Sequence, residues 1–312
     1  MAADTPRAET AIEPSRRRWR WGLFSGIPIG AIAFACWWLT DPLEPASTLV
    51  ASIAEPASPN PGPTPTEPVS LEWPRDRIDG LAAKRRLLDI LRADQETLRN
   101  VEGYTALFHK RERIRGVLRN EETLEMKVRC RPFSVYFKFR TPEAGKEVVY
   151  AEGRYDNHVI AHGAGFSRLL IPRLKVAPTH PLALADSRHP VTEAGLHKLV
   201  DKLVAFRELD LIDAEAVTIL DQWADDEGRP WLRSIHTHPV QEPERPFAKV
   251  EVLYHPETKL PWRITSYDWP KAGDSGDLNL AEQYTYDDLH LGDSFSDLDF
   301  DPANSAYAFT RF

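Results

Sequence analysis

The feature that most constrains this chain is a change of hydrophobic period after Gly103. In TLEMKVRCR, residues 123–131, Leu124, Met126, Val128 and Cys130 alternate with Glu125, Lys127, Arg129 and Arg131. In FSVYFKFR, residues 133–140, Phe133, Val135, Phe137 and Phe139 alternate with Ser134, Tyr136, Lys138 and Arg140. Residues two apart share one face of a strand, so each run reads as a half-buried strand. Only Pro132 separates them, which predicts consecutive strands of an antiparallel sheet. Further strands are predicted in YTALFHKRERI, EVVYAEG, NHVIAHG, AVTILDQW, WLRSIHTH, AKVEVLY, PWRITSYDW and AEQYTYDDL.

Two segments carry the helical period instead. Over 76–101, Leu81, Leu88, Leu91 and Leu98 form a stripe with Lys and Arg opposite. Over 192–212, Leu196, Leu199, Val200, Leu203 and Val204 follow the i, i+3, i+4, i+7, i+8 rule, with Thr192 as the expected N-cap. Strands that do not alternate with helices pair antiparallel. The expected fold is α+β: a curved antiparallel sheet forming a half-open barrel, covered by amphipathic helices over 76–312.

What precedes that domain decides where it works. Trp21 to Leu39 is an uncharged run of 19 residues, about 28 Å as a helix and close to the thickness of a bilayer's hydrocarbon core. Trp19 and Trp21 flank one end, Trp37 and Trp38 the other. Five arginines (Arg7, Arg16, Arg17, Arg18, Arg20) precede the run, and no Lys or Arg follows until Arg75. That asymmetry predicts a cytoplasmic tail over 1–20, a single transmembrane anchor over 21–40 and an extracytoplasmic remainder, with the inner membrane as the location. Cleavage after Ala33-Phe34-Ala35 and lipidation at Cys36 are the alternatives to a retained anchor. Gly22, Gly26 and Gly30 fall on one helix face, where two anchors can approach closely as a homodimer; ordinary glycine usage in membrane helices is the plainer explanation. Residues 41–75 are a Pro-rich linker, nine of Asp41–Pro74 being proline, with an upper reach of about 100 Å.

The residues also carry a resemblance. ADSRHPVTEAGLHKLVDKLV (185–204), followed by VLYHPETKLPWRITSYDW, AEQYTYDDLHLG and FSDLDFDPANSAYAF, resembles domain-of-unknown-function family 1571 over about 78 to 312, RHPVTEAGL being its most specific piece. More loosely, the strand pattern resembles the periplasmic lipoprotein-carrier fold. That likeness implies a half-open barrel holding an acyl chain against a concave apolar face, with helices as the lid. It implies binding only by analogy of fold.

Charge and composition exclude several functions. A formal net charge of −8 over 312 residues argues against nucleic acid. With Cys36 inside the apolar run, Cys130 has no partner for a disulfide and no companion for a thiolate zinc site. His236 and His238 share a strand face, as do His158 and His162, but no further ligand accompanies either pair. Trp231 and Ile235 mark the opposite face as the core side, which leaves His236 and His238 toward solvent. Asp297, Asp299 and Asp301 have calcium-loop spacing without the later Gly and Glu; a loop with Phe300 as a core plug is expected there. No G-x-S-x-G elbow or glycine-rich phosphate loop occurs, so neither an enzyme nor a cofactor is expected.

Two functions are then consistent with the chain. One is an anchored envelope protein that binds a lipid or lipoprotein acyl chain on the apolar sheet face, lined by Met126, Val128, Val135, Phe137, Phe139 and Leu203, with helix 192–212 or the loop Ile171–Val191 as lid. The other is a structural or protein-interaction module with a solid core. A retained anchor favours tethered binding over free shuttling.

Overall fold

The computed structural model describes residues 71–164, 173–270 and 278–310. Everything described belongs to one compact unit, Pro63–Phe312. The 21–40 run, with Gly22, Gly26 and Gly30, lies outside the described residues, as does most of the linker. Among the described residues no helix is long and apolar enough to cross a membrane.

Two meanders make one sheet. The first comprises β2 (Gly103–Ile114), its short hairpin partner β3 (Val117–Leu118), β4 (Glu122–Arg129), β5 (Ser134–Thr141), β6 (Glu147–Ala151), β7 (Val159–His162) and β8 (Leu174–Val176). The second comprises β9 (Val217–Ala224), β10 (Pro230–Thr237), β11 (Lys249–Tyr254), β12 (Pro261–Asp268) and β13 (Asn279–Leu291). Antiparallel pairing of β13 with β2 joins them, and β1 (Ile78–Asp79) extends the β9 edge. The order runs from β1 to β8 without those ends meeting, so the curved sheet stays open. The period-two runs fold as expected: Val128 pairs with Val135, Met126 with Phe137 and Leu124 with Phe139.

Helix α1 (Gly80–Arg99) is shorter than the predicted 76–101, and Leu81 in its first turn is 49% exposed, outside the buried stripe. Helix α2 (Leu196–Ile212) starts four residues later than Thr192. Its N-cap is Gly195, at φ +109, where a Cβ would stand 2.6 Å from the Tyr104 hydroxyl. That hydroxyl accepts the Leu196 N–H at 2.6 Å, so only glycine lets the chain pass close enough to seat the helix on β2. The helices lie antiparallel, tied by Lys84 to the Asp213 carbonyl, Arg92 to Glu208 and Gln95 to Asp201.

One core fills the space between the helices and the sheet. Leu87, Ile90 and Leu91 of α1, Leu196, Val200 and Leu203 of α2, and Tyr104, Val128, Val135, Leu220 and Val252 of the sheet are buried in it. Trp73, at the end of the stretch read as linker, joins this core. It donates from Nε1 to the Asp221 carbonyl at 2.9 Å and its ring lies 5.0 Å from that of Tyr254. On the other face of the first meander a second cluster forms under the C-terminal segment, where Tyr307 stacks on Tyr136 at 4.1 Å and Phe300 is fully buried. Phe300 is thus the plug expected of the Asp297–Asp301 loop.

Candidate functional site

All six residues proposed as the apolar lining fall in the main core cluster. Two environments divide the sheet residues among them. Val128 and Val135 lie in the row of Tyr104, against the start of α2, and are fully buried. Met126 pairs with Ala106 and Phe137, and Phe139 with Leu124. Around these last residues an aromatic floor forms. The ring of Phe108 lies 5.0 Å from Tyr286, 5.8 Å from Tyr284 and 6.2 Å from Phe137. Phe108, Phe137 and Phe139 keep 8, 9 and 7% of their surface open, against none for Tyr104, Val128 and Val135. Leu203 lies on α2.

The rim of this floor is charged. Glu112 and Glu282 are neighbours across β2 and β13, each 5% exposed or less. A carboxylate so buried needs partners, and the segment 186–193 supplies them. Arg188 reaches Glu282 Oε2 through Nε at 3.0 Å, and its backbone N–H donates to Glu112 at 3.2 Å. His189 Nε2 bonds Glu282 Oε2 at 2.9 Å, while Tyr284 donates its hydroxyl to Glu112 at 2.5 Å. Lys110 bridges Glu112 and Glu122 and donates to the Asp186 carbonyl. Glu193 pairs with His189 at 3.5 Å and with Lys202 of α2.

Protonation follows from these contacts. Burial would lower His189, but hydrogen bonds to Glu193 and Glu282 raise it to about 9. Its bond, helped by Lys202, holds Glu193 near 2 against the cost of burial. Tyr284 is pushed well above the ordinary phenol value by burial and by Glu282 and Glu112. The strap 186–193 is therefore tied to the sheet rim by hydrogen bonds and ion pairs. Two clefts flank it, of about 320 and 280 Å³, both lined mainly by charged residues.

A second polar cluster corrects the expected facing of the histidines. His236 and His238 are 1 and 7% exposed and lie on the helix-covered face, not in solvent. The reason is that this face is apolar only in part. His238 Nε2 and Arg245 Nη1 each meet Asp210 Oδ1 at 2.9 Å, so the core side accepts imidazoles by providing partners. Trp231, on the outer face, is covered instead by stacking on Trp262 at 3.9 Å. His162 is likewise buried, 3.0 Å from Glu147.

His236 Nε2 lies 2.9 Å from Ser234 Oγ and its Nδ1 3.8 Å from Asp210 Oδ2, with Thr218 Oγ1 nearer at 3.2 Å. Burial drives His236 well below its ordinary value, and Arg207 adds to the effect. Ser234, His236 and Asp210 are each 2% exposed or less. Thr218 and Ser234 thus engage both ring nitrogens of His236 inside the core. Cys130 is a free, buried thiol raised by burial, 4.0 Å from His197. Among the described residues no group of three His, Cys, Asp or Glu is placed to hold a metal ion.

An open antiparallel sheet, two helices across its apolar face and a charged strap on the remaining rim define an α+β half-barrel. The chain belongs to the DUF1571 family of proteins of unknown function, whose model matches residues 101–309. No curated protein matches it in sequence. Among solved structures it is similar to the Mycobacterium tuberculosis lipoprotein LppX, at 11% identity and a TM-score of 0.38, over 68% of this chain and 98% of that one. A putative outer membrane lipoprotein-sorting protein domain from Vibrio parahaemolyticus gives 9% and 0.32, over 69 and 95%. A LolA superfamily protein from Nitrosomonas europaea gives 11% and 0.26, over 68 and 96%. The resemblance to family 1571 read from the sequence is thus borne out.

Proposed function

We propose that the domain is a non-catalytic binding protein that holds an apolar ligand, a lipid or an acyl chain, on the floor of Phe108, Phe137, Phe139, Tyr284 and Tyr286. The N-terminal run tethers it to the inner membrane, with the domain on the extracytoplasmic side. Hydrophobic burial provides the affinity, and the 186–193 strap, with the preceding loop, acts as the gate. Of the loop Ile171–Val191 first considered as a lid, Ile171 and Pro172 lie outside the described residues.

One observation carries this reading. Where the apolar face runs out toward Phe108, the crossing chain is held by Arg188 and His189 on Glu282, together with the apolar contact of Val191. Arg188 and His189, 27 and 38% exposed, regain water when the strap lifts, while the buried Glu282 then needs a replacement partner, water or a ligand headgroup.

A second reading draws on the full burial of Met126, Val128 and Val135. It makes the domain a solid interaction module of the envelope. Its contact face is then the outer surface of the second meander, where Arg233 sits over Trp223 and Arg263 over Trp262, residue types enriched at binding hot spots.

Native mass spectrometry on residues 63–312, exported and purified without detergent, separates the two. A bound mass that organic extraction removes and added lipid restores supports the first reading. A clean apo mass, with no uptake from fatty acids or phospholipids, moves the assignment to the second.

A further inference from the structure

The hairpin of β2 and β3 carries an excess of positive charge that the fold does not use. Its sequence, HKRERIRGVLR, holds Arg111, Arg113, Arg115 and Arg119 within nine residues. Among the described residues none of these four guanidinium groups meets a carboxylate. Arg113 donates to the carbonyls of Leu280 and Gly116, at 2.9 and 3.1 Å, and Arg111 to that of Arg119 at 3.4 Å. The side chains of Arg115 and Arg119 are exposed and without a partner among the described residues. In a chain of net charge −8, four such groups together are a local reversal of sign.

The geometry of the tip adds to this. Arg115 and Gly116 occupy the turn at φ +50 and +82, a pair of left-handed positions usually filled by Asn-Gly. An arginine there carries a steric cost that its backbone does not require. Val117, the next residue, is 59% exposed. Below the turn opens the cleft of about 320 Å³, lined by Arg113, Ile114, Arg115, Ser187, Arg188 and His189. Glu282 engages Arg188 and His189 from the buried side, and Asp268 lies 3.9 Å from Arg188 Nη2. The acidic partners of this cleft thus pair with the strap; Arg115 faces outward, and Arg119 borders the second cleft, beside Glu122 and Glu143, without forming an ion pair among the described residues.

We propose that this hairpin docks the domain on a bilayer surface containing anionic phospholipid, with a headgroup phosphate in the cleft and Val117 at headgroup depth. The charge complementarity argues for it: clustered arginines read a surface of phosphates without sequence or shape specificity. The exposed aliphatic residue at the apex suits an interface rather than a soluble anion. This contact is independent of whether the aromatic floor holds a ligand.

The test uses the full-length chain, held on a sensor by a tag ahead of Met1, and unilamellar vesicles of phosphatidylcholine with or without phosphatidylglycerol. Capture of the phosphatidylglycerol vesicles is expected to exceed that of phosphatidylcholine and to fall with added salt. Arg115→Gln and Arg119→Gln are each expected to weaken it about fivefold. Both side chains are exposed and unpartnered, so the variants keep the fold, and circular dichroism checks this. Arg7 and Arg16 to Arg20 are present in every variant, so the comparison isolates the hairpin. Undiminished capture by the double variant overturns the proposal. So does a retained short RNA, lost in the double variant, with no vesicle binding that the variant changes.

Discussion

Arg188 Nε and His189 Nε2 converge on one oxygen of Glu282, at 3.0 and 2.9 Å. These two adjacent strap residues thereby close on a strand 93 positions away from His189. Glu282 is 7% exposed at its side chain, whereas Arg188 and His189 are 27 and 38% exposed. Removing the Glu282 charge strands no cation, because Arg188 and His189 reach water, whereas lifting the strap would leave the buried Glu282 carboxylate unpaired beside Glu112.

Glu282→Gln is therefore expected to loosen the strap more than it destabilises the domain. Global stability should fall by about 1–3 kcal/mol. Amide exchange over 186–193 should quicken well beyond that of the core strands. Equal acceleration in strap and core, followed by hydrogen-exchange mass spectrometry, would contradict a local clasp.

The same clasp carries a pH dependence. His189 is raised from its ordinary 6.5 to about 9 in the folded state. A group raised on folding contributes stability that is fully present below its unfolded value and lost as pH rises through the folded one. Strap exchange, corrected for the intrinsic rate, is thus expected to be slow below pH 6.5 and faster above pH 9. His189→Gln should flatten the profile; an unchanged profile would remove His189 from the clasp.

Asp94 of α1 is 7% exposed, with Oδ2 unpartnered, and burial pushes its carboxyl up to about 7 despite Lys259. Here the sign runs the other way for an acid. The folded state holds the proton up to about pH 7 while the unfolded chain releases it near 3.8, so stability drains away across that interval. Asp94→Asn is expected to stabilise by about 1–2 kcal/mol above pH 7 and to be nearly neutral below pH 3.8. Chemical denaturation at both ends of the range measures it.

Gly195→Ala combines two faults, a positive φ and a Cβ 2.6 Å from the Tyr104 hydroxyl. The expected loss is about 2–4 kcal/mol. Tyr104→Phe in the same background relieves the clash, though it leaves the Leu196 N–H unpaired. Partial recovery of the melting temperature in the double variant is the expected signature; a further fall of the full single-variant size would place the fault elsewhere.

Much of this fold was legible in local pattern and little of the site was. Leu124, Met126 and Val128 against Val135, Phe137 and Phe139 gave two strands and their pairing, because the period of a half-buried strand is written in adjacent residues. The histidines of β10 were misread for the same reason. Alternation reports apolar against polar, and the core face there is Leu232, Ser234, His236 and His238, made buriable by Asp210 from α2. Arg188 and His189 stood in the most family-specific stretch of the sequence, yet nothing local says that Glu112 and Glu282 await them. Only the β13–β2 pairing brings those carboxylates together. The rings of Phe108, Tyr284 and Tyr286 likewise meet through that one pairing.

The central claim is that this aromatic floor is where an apolar ligand lies. The most direct measurement is photo-crosslinking of the exported domain with a diazirine-bearing fatty acid, followed by peptide mapping. The account predicts label on 103–114, 134–141 and 279–291, competed by unlabelled fatty acid and lost in Phe108→Ala. Label confined to the outer face around Trp223, Trp231 and Trp262, or none that competes, would contradict it.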